Sequence, residues 1–151
     1  MQRAVLLVGL LICVLAGSWL LHKAPGVQVA GKLAAHGDRG VNRGALTFDD
    51  GPSSKHTGAV LDNLDKLGVR ATFFLNGSAM EKHPAVTRQI VERGHKLGNH
   101  SYSHERMLFR SQSWIAQEVE TTDQLIRQAG HQGQIFFRPP YGKRLFTLPL
   151  Y

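Results

Sequence analysis

Short apolar runs alternate with stretches of helical spacing from residue 44 onward, and this alternation restricts the fold more than any other feature of the chain. Ala45-Leu46-Thr47-Phe48 is a short apolar run that Asp49-Asp50-Gly51-Pro52 stops as a turn sequence would. Val60, Leu61, Leu64 and Leu67 then recur at helical spacing, with Gly68 placed to end the helix. Ala71 to Leu75 is apolar on both alternating faces, as expected of a strand covered by helices on either side. Pro84 opens a second helix carrying Val86, Ile90 and Val91, closed by Gly94. His95 to Asn99 reads as a third strand, and Ser113 to Ala129 as a third helix with Ile115, Val119, Thr122, Leu125 and Ile126 on one face. Ile135 to Phe137 reads as a fourth strand running into Arg138-Pro139-Pro140. Helices between short strands imply crossover connections and a parallel α/β sheet or barrel.

In parallel α/β folds, functional groups gather where strand C-termini enter loops. Asp49 and Asp50 follow the first strand, His100 and His104 the third, and Arg138 the fourth. His100 and His104, four residues apart, would share one side of a helical turn and could bind one cation; two loop histidines with ordinary hydrogen bonds have the same spacing. Asp50 adds a hard oxygen donor, and two histidines with one carboxylate leave positions open for water and substrate. Adjacent carboxylates need partners, and a cation on one with Arg138 beside the other would satisfy both. Taken singly, Asp-Asp-Gly-Pro is also a good tight turn, and Arg138 an ordinary surface charge.

The remaining composition removes other classes. A lone cysteine, Cys13, excludes an intramolecular disulfide and a cysteine-based zinc cluster, whereas eight histidines favour nitrogen and oxygen ligation. Lysine and arginine number 18 against 11 acids, a net charge of +7. These charges are dispersed with no run of five, which argues against nucleic acid and suits weak attraction to an anionic surface.

Residues 1–23 are expected to be a signal peptide or a membrane anchor, because Ala4 to Leu21 is an uncharged, apolar stretch. Residues 24–43, glycine-rich and aperiodic, are expected to be a flexible linker, and residues 44–151 the folded domain. Export to the cell envelope, secreted or anchored, follows from this layout.

Three segments resemble the first three motifs of the polysaccharide deacetylases, the NodB-homology carbohydrate esterases. They are Thr47-Phe48-Asp49-Asp50-Gly51-Pro52, His100-Ser101-Tyr102-Ser103-His104 and Arg138-Pro139-Pro140-Tyr141-Gly142, and the resemblance spans Ala45 to Gly142. It implies a distorted (β/α) barrel and metal-dependent removal of acetyl groups from N-acetylated polysaccharide such as peptidoglycan or chitooligosaccharide. It further implies that Asp50, His100 and His104 hold a divalent metal, most often Zn²⁺. Asp49 would be the general base, Arg138 would orient it, and the backbone N–H of Tyr141 would stabilise the oxyanion. An O-acetyl xylan esterase would use the same groups. The family's two later motifs, including the histidine that protonates the leaving amine, have no counterpart in residues 143–151. His56, His83 and His131 read instead as solvated loop residues. The expectation is therefore a partial barrel, incomplete at its C-terminus, and either a deacetylase or a catalytically impaired remnant that binds metal or glycan.

Overall fold

The computed structural model describes residues 2–23 and 44–142. The expected linker over 24–43 and the segment 143–151 lie outside the described residues. The chain divides into two compact units, Met1–Asp38 with Phe146–Tyr151, and Arg39–Leu145. In the first, α1 (Gln2–Lys23) is a single helix whose leucines Leu6, Leu7, Leu10, Leu11 and Leu15 are exposed. Among the described residues no helix is long and apolar enough to cross a membrane.

The second unit holds a three-stranded parallel sheet among its described residues, in the order β1 (Thr47–Gly51), β2 (Thr72–Leu75), β3 (Lys96–Asn99). Phe73, Phe74 and Leu75 of the central strand are all buried, which is why this run lacks a polar face. Four helices accompany the strands: α2 (Thr57–Leu67), α3 (Gly77–Lys82), α4 (Pro84–Glu92) and α5 (Gln112–Gln128). Leu61 and Leu64 of α2, Met80 of α3, Ile90 of α4 and Ile126 of α5 meet Phe73, Leu75 and Leu97 in one core. Burying each such side chain contributes roughly 1.5–3 kcal/mol.

Local chemistry explains the boundaries. Gly68 ends α2 at φ 63°, donating its N–H back to the last turn, a conformation that costs glycine little. Pro84 occupies the first turn of α4, where its missing N–H breaks no helical bond. The Ser111 hydroxyl accepts the Trp114 N–H at 3.2 Å and caps α5.

The structure corrects four expectations. β1 does not stop at Phe48 but continues through Asp49 and Asp50 to Gly51, with a register break between Asp49 and Gly51. Ile135–Phe137 forms no strand, only a single parallel bridge between Asn99 and Phe137. After Arg138, whose N–H still reaches the Asn99 carbonyl, Pro139 and Pro140 have no N–H to extend a ladder. The His100–His104 segment is a loop rather than a helical turn, with Ser101 at φ 67° and His104 at φ 59°. Finally, His131 is buried rather than solvated, tucked under the end of α5 where Arg127 donates to its carbonyl at 2.9 Å. His56 is exposed as expected, and His83 is half-buried as the residue preceding α4.

Gly98 of β3 lies opposite Phe74 of β2, and a Cβ there would come within 2.5 Å of Cδ1 of the Phe74 ring. Gly98→Ala is therefore expected to lower unfolding free energy by about 1–3 kcal/mol, read from the denaturant midpoint. His95, 3% exposed, accepts the Ala71 N–H at Nδ1 and has its pKa pushed down by burial, then by Arg70 and Arg93, with Asp65 opposing. The unfolded chain takes up that proton first, so stability should decline as pH falls below about 6.5 and go on falling until the folded-state histidine is protonated. In His95→Asn the part of this decline due to His95 should vanish in parallel denaturation series.

Candidate metal centre

All three strands are parallel, so Gly51, Leu75 and Asn99 end on one rim, and the chain returns there at Arg138. The register break in β1 is what presents both carboxylates. Asp49 pairs with Phe74 and Gly51 with Leu75, leaving Asp50 as an extra residue at φ 68°. Such a bulge re-aims a side chain that regular alternation would send to the opposite face.

His100 directly follows β3 and is 4% exposed. Its Nδ1 lies 2.7 Å from the Arg138 carbonyl, and since a carbonyl only accepts, Nδ1 carries the hydrogen. The Nε2 lone pair is thereby turned toward Asp50, whose Oδ1 is 3.5 Å away. His104 Nε2 approaches the same oxygen at 3.2 Å, and the two imidazole centroids are 4.9 Å apart. One ligand atom from each of Asp50, His100 and His104 lies within 4.8 Å of the others. Two ligands bound tetrahedrally at about 2.0–2.1 Å stand about 3.4 Å apart, so both carboxylate–imidazole separations, and the chemistry of all three donors, fit a shared divalent ion. The carbonyl on the far nitrogen of His100 is the support that ligating histidines generally have.

Asp49 is held apart from this trio. Arg138 Nη1 donates to Asp49 Oδ1 at 2.5 Å and to the Thr47 hydroxyl at 3.2 Å. The Arg138 guanidinium lies 3.9 Å from the centroid of the Phe74 ring, a cation–π contact that fixes its plane. Tyr141 follows Pro139-Pro140 at φ 59°, with its ring 4.8 Å from that of His104. All six residues singled out in the sequence therefore stand on one rim. A cleft of about 190 Å³ runs beside Asp49 and Asp50, walled by Phe48, Val60 and Phe73.

Sequence reasoning missed the residues that support this rim. Asn99, fully buried, donates through Nδ2 to the Val119 carbonyl and the Asp123 carboxylate, and accepts the Ser101 N–H at 2.8 Å. Burial pushes the Asp123 carboxyl up, against the pull of the Asn99 bond and Arg127. Glu118 binds the histidine loop from α5. Its signal was present: a carboxylate inside the apolar stripe of Ile115, Val119 and Thr122.

Residues 36–148 match the polysaccharide deacetylase family. The peptidoglycan-N-acetylglucosamine deacetylase of Bacillus cereus is 39% identical over 101 residues, covering 67% of this chain and 37% of that protein. The peptidoglycan-N-acetylmuramic acid deacetylase PdaC of Bacillus subtilis is 36% identical over 98 residues, 65% of this chain and 21% of that one. Among solved structures, the family 4 carbohydrate esterase from Streptomyces lividans in complex with acetate superposes with a TM-score of 0.63 at 40% identity, over 67% of this chain and 52% of that chain. The chain thus spans about half or less of the length of the relatives it matches, and it belongs to the polysaccharide deacetylase family.

Proposed function

We propose that this chain carries the metal-binding and base-bearing part of a hydrolase that removes N-acetyl groups from N-acetylglucosamine-containing polysaccharide, with peptidoglycan as the first substrate and chitooligosaccharide as the second. One observation carries the reading: two imidazoles and a carboxylate fit one ion beside a second carboxylate clamped by arginine. The B. cereus and B. subtilis relatives, named for peptidoglycan deacetylation, support the substrate class.

Asp50, His100 and His104 would hold the ion, for which we propose zinc. When bound, such a cation polarises a carbonyl oxygen and makes water more acidic. Asp49 accepts the proton of the attacking water at its carboxylate, and Arg138 keeps that carboxylate in place during the transfer. The Tyr141 N–H donates to the acetyl oxygen as negative charge develops on it. Water adds its oxygen to the acetyl carbon, the C–N bond breaks as the proton taken up by Asp49 passes to the nitrogen, and acetate and the sugar amine leave. The same groups would open an O-acetyl ester, and the esterase relative keeps that substrate as the alternative. We further propose that the chain is exported, with α1 as the exporting segment and residues 44–151 as the catalytic portion.

With Zn²⁺ supplied, acetate should be released from N-acetylglucosamine oligomers and from peptidoglycan, and Asp49→Asn should slow it by about 10²–10⁴-fold. An unchanged rate in that variant would overturn Asp49 as the base. Release from acetylated xylan alone would select the esterase, and Zn²⁺ or glycan binding without acetate the impaired remnant. His100→Ala should weaken Zn²⁺ binding in calorimetry, independently of turnover.

A further inference from the structure

We infer that Glu118 is a positioning residue for the metal centre: from α5 it holds the loop between His100 and His104 in the shape that lets both imidazoles reach one ion. This rests on the reading of Asp50, His100 and His104 as metal ligands. Glu118 is 7% exposed and shares the buried face of α5 with Ile115, Val119 and Thr122. A carboxylate buried among such neighbours is costly unless it is hydrogen-bonded. Its partners all come from the middle of the histidine loop. Oε2 accepts the Tyr102 N–H at 3.0 Å, the Ser103 N–H at 2.8 Å and the Ser103 hydroxyl at 3.0 Å.

Two consecutive N–H groups aimed at one oxygen fix how the intervening peptides turn. The neighbouring carbonyls are tied on the other side, because Gly77 and Ser78 at the start of α3 donate to the Ser101 and Tyr102 carbonyls at 3.0 Å each. Ser101, at φ 67°, accepts the His104 N–H on its hydroxyl at 3.1 Å, and the Ser103 hydroxyl accepts the Glu105 N–H at 3.3 Å. The four-residue step from His100 to His104 is therefore shaped from without. A free loop of this length has no helical hydrogen bond to bring its two rings together. Glu118 is the carboxylate that accepts the loop's N–H groups, whereas Glu81 accepts the Tyr102 hydroxyl at 2.7 Å, and charge-assisted bonds are roughly twice as strong as neutral ones.

The test is Co²⁺ binding to the metal-free full chain, by calorimetry and by the visible spectrum of the bound ion, well below the melting temperature of each variant. Glu118→Ala should weaken Co²⁺ binding by about 10–100-fold, the usual cost of losing outer support to a metal ligand, and alter the spectrum. Glu118→Gln keeps a carbonyl acceptor without the charge and should recover part of that loss. Ser103→Ala removes one of the three donors and should give a smaller loss. If Glu118→Ala does not fold, the other two variants carry the test, each expected to bind several-fold more weakly than wild type. Wild-type affinity and spectrum in the folded variants would overturn the inference and leave Glu118 a stabilising residue only. A wild-type chain that binds no Co²⁺, or an Asp50→Ala chain that binds it equally well, would overturn the metal reading itself and with it the role of Glu118.

Discussion

The rim depends on Arg138, which joins parts of the chain that are distant in sequence. Its N–H donates to the Asn99 carbonyl at 2.8 Å and its own carbonyl receives the His100 ring. Its guanidinium holds Asp49 and Thr47 of β1 and lies on the Phe74 ring of β2. One residue thus touches all three strands or the loops that leave them. Pulling the guanidinium away would leave Asp49 without its clamp, and moving the backbone would let the His100 ring turn. The side chain and the main chain of Arg138 act on different members of the site, so the Asp49 carboxylate and the His100 imidazole are aligned by one residue.

Backbone strain is concentrated at the same place. Of the five described non-glycine residues with positive φ, Asp50, Ser101, His104 and Tyr141 lie on the rim, and only Phe109 does not. Each such conformation costs on the order of 1–3 kcal/mol and persists only where its surroundings impose it. The surroundings are visible here: the β1 bulge at Asp50, the Asn99 and Ser101 side chains at the histidine loop, and Pro139-Pro140 before Tyr141. The polar groups are therefore held by the backbone and side chains packed around them.

Much of this was legible in the sequence, for specific reasons. Leu61 with Leu64, and Ile115 with Val119 and Ile126, have helical spacing that only a buried face requires, and Gly68 and Gly94 mark stops. Asp50, His100, His104, Asp49 and Arg138 stand out because each follows a segment that reads as a strand. What escaped depends on tertiary context. Asp49-Asp50-Gly51-Pro52 is turn chemistry, yet pairing with Phe74 and Leu75 keeps it in the strand as a bulge. The short helix α3 contains only Met80 as a large apolar residue, too little for a period to show. Glu118 was passed over because a glutamate on a helix is ordinarily solvated, and its three donors come from a loop some fifteen residues earlier whose shape only the fold reveals.

The opposite end of the sheet is built differently. Arg93, whose charged form is favoured chiefly by its bond to Asp62, spans from the end of α4 to Asp62 at 2.6 Å and Asp65 at 3.2 Å of α2, while Arg70 reaches Asp65 at 3.3 Å. These pairs are exposed and screened by salt. The chain has thus placed its exchangeable electrostatics a full strand length from its chemistry. Substitutions that tune thermal or salt tolerance can accumulate around Arg70 and Arg93 while the hydrogen-bonded frame about Asn99 and Arg138 stays intact, so durability and activity are open to separate selection.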